Sequence, residues 1–386
     1  MCHCDKKSKC KCVERHVIKQ LPYVIAAPGQ YCLAQDFTWA IGGSAAITVL
    51  NTESVVLDFH ERKIVTTAAS AVGVVLVSGS KDVQLENVQL EASGAAVSAS
   101  RGIEIANSTD VRVRQPVLLD FNPAIKTSGG SVLVVSDFVI KTVVPVSAGQ
   151  SFIIEDTNDV DLLRGSVTNG RVRFTTTTDA STGQRVTVTG LKIDNSAGIG
   201  SGARCLQLFG YNNVIISNNE MNGGGLGAAT DAALVLSRQG GDYATNFLVE
   251  KNVIRSSVFS FQIQHVSGAT VRDNQFKSEG KGCGFNDVNH VLTENNNVSG
   301  ELVPVALSHG IFFVGDFPAG PTSFYNTVKN NFVSGFSVGY SDNHPGDTNG
   351  ICTVFTNNVG TGNVANSSFL EASTVDNDNI FSCTIP

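Results

Sequence analysis

One octapeptide returns along the second half of the chain: FLVEKNVI at 247–254, ATVRDNQF at 269–276, VLTENNNV at 291–298, NTVKNNFV at 326–333 and CTVFTNNV at 352–359. Each has asparagine at its sixth position and an apolar residue two places further on. With a preceding member at 219 and a following one at 379, the series is Asn219, Asn252, Asn274, Asn296, Asn331, Asn357 and Asn379. Successive gaps are 33, 22, 22, 35, 26 and 22 residues, so 22 is the unit and the excess is insertion. A recurrence of this length indicates a repeat architecture. The frame continues upstream with other residues at the asparagine position, in VRVRQPVL (111–118), VDLLRGSV (160–167) and VTVTGLKI (186–193).

Within each unit, short runs alternate apolar and polar residues and are split by Gly, Asn, Asp or Ser, which is strand patterning. Two short strands and their turns use up 22 residues and leave no room for a crossover helix. Such a unit cannot bury its own apolar face, whereas stacked units can. The expected fold is therefore all-β: a right-handed parallel β-helix in which each strand pairs with its equivalent one coil on. Coils stack about 4.8 Å apart. An asparagine at one equivalent position then places amide over amide, and each side chain can donate to one neighbour and accept from the other. Asparagine also tolerates the left-handed backbone of a tight corner. The expected organisation is a Cys-rich basic tail (1–20), an N-terminal cap (21–45) and the solenoid (46–386).

Composition narrows the function. Charged residues are only 16% of the chain. Residues 1–20 hold six Lys/Arg against Asp5 and Glu14, a net of +4, so the remainder carries −11 of the total −7. That acidic body excludes a nucleic-acid groove. No apolar run is long enough for a transmembrane segment, and no secretory signal is recognisable. In the tail, Cys2, Cys4, Cys10 and Cys12 form two C-x-C pairs with His3 and His16 nearby, a set that can bind Zn2+ or another soft metal, or form intermolecular disulfides. The other five cysteines are scattered.

The segment LPYVIAAPGQYCLAQDFTW (21–39), followed by ITVLNTESVVLDFHERKI (47–64), resembles the opening of right-handed β-helix proteins of the pectate-lyase-like superfamily. Pro28, Gly29, Tyr31 and Leu33 match an I-x-x-P-G-x-Y-x-L cap. Val56, Leu57, Asp58 and Ile64 match the turn V-x-L-D-x-x-G-x-x-I, with Glu61 or Arg62 where glycine is usual. The resemblance implies the β-helix over nearly the whole chain. It also brings polysaccharide lyases, glycoside hydrolases and trimeric viral tailspikes into view. The catalytic signatures of the polygalacturonases are not met: ATDAA (229–233) and LSHGI (307–311) are the nearest echoes.

His265 and Asp287 each lie nine residues before a repeat asparagine, one coil apart. With Asp316 and Asp342 taken as ends of the next matching strands, an outward row His265, Asp287, Asp316, Asp342 is expected. Carboxylates so spaced can act on a glycosidic bond or hold Ca2+, or simply cap turns. His290, His309 and His344 are expected in loops apart from this row. Insertions within 222–246 and 299–326 would wall it.

Two readings follow. One is a structural or glycan-binding β-helix on the surface of a particle, such as a virion outer layer, or of a cell, assembled as a homo-oligomer such as a trimer. The alternative is a carbohydrate-active lyase or hydrolase using the Asp/His row.

Overall fold

A computed structural model describes residues 15–97, 99–142, 149–176, 184–197, 204–224, 232–237, 243–300, 308–314, 325–343, 353–369, 375–377 and 380–382. Among these, thirty-eight strands join one continuous parallel sheet and a single 3-10 turn, Gly94–Ala96, stands apart. The sheet is wound as a right-handed parallel β-helix. No helix among the described residues is long and apolar enough to cross a membrane.

Each coil contributes to three columns of parallel strands, faces A, B and C. Face A begins Tyr23–Ile25, Ile47–Leu50, Gly73–Ser78; face B begins Arg15–Ile18, Gly29–Leu33, Glu53–Asp58; face C begins Phe37–Trp39, Lys63–Thr66, Gln89–Ala92. Residues 15–45 are thus already rungs of the stack. Several strands turn a corner without breaking. Ser131–Lys141, Asn158–Thr168 and Val186–Asn195 serve faces B and C, whereas Phe259–Arg272 and Lys281–Glu294 serve A and B. In the coil that begins at Phe259, one long bent strand and one short strand fill the 22 residues. Inward side chains are aliphatic and aromatic along the whole stack; Phe138 and Phe152 meet edge to face at 5.2 Å, and Phe285 and Phe313 stack with centroids 4.7 Å apart.

The B-to-C corner holds the asparagines. Asn219, Asn252, Asn274, Asn296, Asn331 and Asn358 are each 0–2% exposed. Side-chain Nδ2 donates to the next Oδ1 at 2.9, 3.0, 3.0, 3.0 and 3.1 Å along that series. The same Oδ1 accepts the backbone N–H of the preceding asparagine, as from Asn252 to Asn274 at 2.9 Å. The second Nδ2 proton goes to a carbonyl of the preceding coil, such as Ile216 for Asn252 at 2.9 Å. An amide has two donors and two acceptor sites, so each interior rung is fully satisfied. Without these bonds a buried amide would destabilise the stack.

Two expectations are corrected here. The rung on the 353–361 coil is Asn358, not Asn357: Asn326 pairs with Thr353, which carries Asn331 onto Asn358. Asn357 is the preceding residue, at φ 53°. The rungs themselves are not the left-handed residues. That conformation belongs to the residue before each: Asn218, Lys251, Asp273, Asn295, Asn330 and Asn357 all have φ between 53° and 56°. Turning and bonding are divided between two adjacent positions, and the doubled asparagines at 357–358 obscured which was which. Asn379 lies outside the described residues.

Candidate functional site on face A and its corner

His265 and Asp287 do meet. His265 Nε2 lies 3.1 Å from Asp287 Oδ2, with the side chains 33% and 16% exposed. Each is left-handed, at φ 52° and 49°. The neighbouring pairs Gln264–Asn286 and Val266–Val288 place them directly in register. The third member is Tyr243. Ala244 pairs with Val266, so Tyr243 occupies the same position one coil earlier. Its hydroxyl reaches past His265 and donates to Asp287 Oδ1 at 2.7 Å. Burial first, and then the hydrogen bond and charge of Asp287, push the phenol up to about 12, so it is protonated at neutral pH. Tyr243 also lies nine residues before Asn252. The offset that finds His265 and Asp287 would have found it too, had tyrosine been sought beside carboxylates.

Asp342 does not join the expected row. Asp342 pairs with Phe313, which pairs with Phe285, two positions before Asp287 in the register. The insertion after residue 300 breaks the count from the asparagine column, so Asp342 ends its strand without being equivalent to Asp287. Asp316 lies outside the described residues, as do Cys2, Cys4, Cys10 and Cys12 and parts of both insertions. Part of the first insertion is a face-A strand, Ala232–Ser237. Among the described residues no three His, Cys, Asp or Glu side chains converge as metal ligands.

Beside this corner, the outward side of face A carries rings and amides. Phe259 and Phe312 come from coils two apart, with Lys281–Glu294 between them, and their rings stack at 5.7 Å with planes 29° apart. They meet over Gly284, where an added Cβ would come within 2.6 Å of both rings. Glycine is therefore required there for the rings to close. Lys281 Nζ stands 5.6 Å from the Phe312 centroid. Gln262 and Asn286 complete a shallow groove of about 130 Å³. That is too small to enclose a ligand, so the surface is a platform rather than a pocket. His309 is not in a loop: it starts the strand His309–Val314, its ring 5.5 Å from Phe312 and its Nδ1 3.1 Å from Ser341 Oγ. Burial, and secondarily Lys281, lower its pKa.

Face B differs. Glu250, Arg272, Glu294 and Lys329 occupy successive rungs with alternating sign. Arg272 Nη2 lies 2.7 Å from Glu250 and Lys329 Nζ 3.0 Å from Glu294. Charge on that edge is closed in pairs, whereas Lys281 on face A has no carboxylate partner among the described residues.

No family model and no curated protein matches the chain. Solved structures do. The periplasmic alginate epimerase AlgG aligns at 10% identity over 88% of this chain and 77% of its own, with a TM-score of 0.52. The Azotobacter vinelandii mannuronan C-5 epimerase AlgE6 A-module aligns at 14% identity over 94% and 91%, TM-score 0.45. Bacteriophage CBA120 tailspike protein 3 aligns at 12% identity over 96% and 56%, TM-score 0.39. The AlgG likeness concerns the fold alone.

Proposed function

We propose that this is a glycan-binding β-helix protein, displayed on a particle or cell surface, whose binding platform is face A between residues 259 and 343. The observation that carries the reading is the half-buried Phe312 ring, which lies over Gly284 against the buried Phe259 and is bordered by Lys281, Gln262, Asn286 and His309. Aromatic faces receive the C–H faces of sugar rings, amides and hydroxyls receive their hydroxyl groups, and a platform open along the axis accepts a chain rather than a single ring. The low charge and the regular stack suit an extended displayed rod, and the C-x-C head suits cross-linking or anchoring it. The test is a glycan array with wild type and Phe312→Ser. Binding by wild type that the substitution abolishes, with unchanged far-ultraviolet circular dichroism, supports the platform. Wild type bound to no glycan overturns it. Labelling of intact particles or cells with an antibody to the chain tests display, and sedimentation equilibrium tests the trimer.

A second reading is favoured by the Tyr243–Asp287–His265 contacts. A protonated phenol and an imidazole sharing one carboxylate form an acid–base set, which is lyase or epimerase chemistry in kind. A two-carboxylate hydrolase has less support, since Asp342 lies two positions out of register with Asp287. Release of shortened, unsaturated or epimerised product by wild type and not by Asp287→Asn would establish this reading; no product from any array glycan would remove it.

A further inference from the structure

The A-to-B corner carries a second left-handed column, three residues beyond Tyr243, His265 and Asp287. Its members in register are Asn213, Asn246, Gly268, His290 and Tyr325, with φ between 52° and 73°. The same column in the first half holds Ser54, Asp82, Asp110, Val132 and Asp159. Apart from Val132 these are small polar residues or glycine, the types this backbone suits. Only at its last two described members, His290 and Tyr325, next to the face-A platform, does the column become aromatic. A tyrosine at φ 55° is an outlier. Asn or Gly would hold the turn with less strain, so strain at this place points to a use for the side chain itself. Tyr325 is 64% exposed, and its ring lies 5.4 Å from that of His290 at 35°. It adds little to the core and presents a ring to solvent.

The two columns are linked. Asp287, Asn289 and His290 share the strand Lys281–Glu294, and the Tyr243 hydroxyl donates to Asp287. At Gly268, between the coils of Asn246 and His290, an added Cβ would meet nothing within 4 Å, so the corner is open there. From face A towards face B the surface presents the Phe312 ring, then the Tyr243–His265–Asp287 row, then the His290–Tyr325 ring pair.

We propose that His290 and Tyr325 form a second sugar-stacking subsite, so that a bound glycan crosses the corner over Tyr243, His265 and Asp287 instead of running along face A alone. This rests on the glycan-binding reading and assigns the chain's direction. The occupant is a carbohydrate because the rings continue the platform and alternate with amides and hydroxyls, while charge on the adjoining edge of face B is already paired.

The test uses the full chain and a size ladder, disaccharide to octasaccharide, of the array glycan that wild type binds, measured by titration calorimetry. Tyr325→Asn should lower affinity for the longer oligosaccharides about tenfold, leave the shortest unchanged and keep or raise the melting temperature, since Asn fits the turn better. Tyr325→Phe should retain wild-type affinity. Phe312→Ser should weaken every length. If Tyr325→Asn binds all lengths like wild type while Phe312→Ser binds none, the subsite is wrong and the platform stands. If wild type binds nothing on the array, both fall together.

Discussion

The B-to-C corner is built in two ways along one chain. From residue 88 to 191 its inward position holds Val88, Pro116, Phe138, Gly165 and Leu191, an apolar column of changing size, and strands run through the turn from Ser131 to Asn195. From 219 onward the same position holds asparagine, and the strands break there. The handover is two bonds: the Leu191 N–H donates to Asn219 Oδ1 at 2.9 Å, and Asn219 Nδ2 donates to the Val188 carbonyl at 3.0 Å. The other corner changes in the opposite sense. In the first half, Ser80 and Ser108 stack at the A-to-B corner, with Thr127 and Thr157 bonded nearby at 2.8 Å. In the second half that corner is continuous strand on the coils of Phe259–Arg272 and Lys281–Glu294, and the column through it carries Tyr243, His265, Asp287, His290 and Tyr325. Amides carry a directional bond in both senses and fix register coil by coil, whereas apolar stacking tolerates substitution and slip. The half that places a polar row across three coils is the half whose register is fixed.

Exchanging residues between the two regimes gives the largest expected effect. Asn274→Leu puts the apolar regime into the amide column and leaves the Asn252 donors and the Val249 carbonyl without partners, so it should destabilise by about 3 kcal/mol or more. The reverse exchange, Leu191→Asn, extends the column by one rung that Asn219 can receive, and should cost only about 1–2 kcal/mol. Equal costs in chemical denaturation would erase the distinction between the regimes. Ser108→Ala, in the hydroxyl stack, removes one acceptor for the Ser80 N–H and should cost about 1 kcal/mol. Smallest is Lys251→Asn at a left-handed corner, which should stabilise by roughly 0.5–1 kcal/mol, since lysine gains nothing from φ 55°; a lower melting temperature would contradict this. A pH series sharpens the same comparison on face A. His309 has a folded pKa below its ordinary 6.5, so the unfolded chain takes up its proton first. Its contribution to stability is complete above 6.5 and declines as pH falls below that value. His309→Gln should flatten the decline, and an unchanged slope would show that His309 does not contribute to it.

The repeat was legible because a 22-residue spacing with strand patterning leaves few alternatives to a solenoid. One frame slipped where TNN offers two adjacent asparagines, since sequence alone does not separate the left-handed residue from the rung. His265 and Asp287 were legible by their offset from the column. Asp342 was misplaced once an insertion removed the offset. The Phe312 platform ring was not legible: it looks like a core residue in sequence, and only the register shows that it lies outward, against the buried Phe259 and above a glycine on the coil between them.

The central claim is that Asn252, Asn274, Asn296 and Asn331 form one buried, mutually bonded amide column. Side-chain amide hydrogen exchange on asparagine-labelled protein tests it most directly. Their Nδ2 protons should exchange only through global unfolding, far more slowly than those of exposed Asn107 or Asn297. Exchange of the four at the rate of the exposed pair would contradict the column and the register that depends on it.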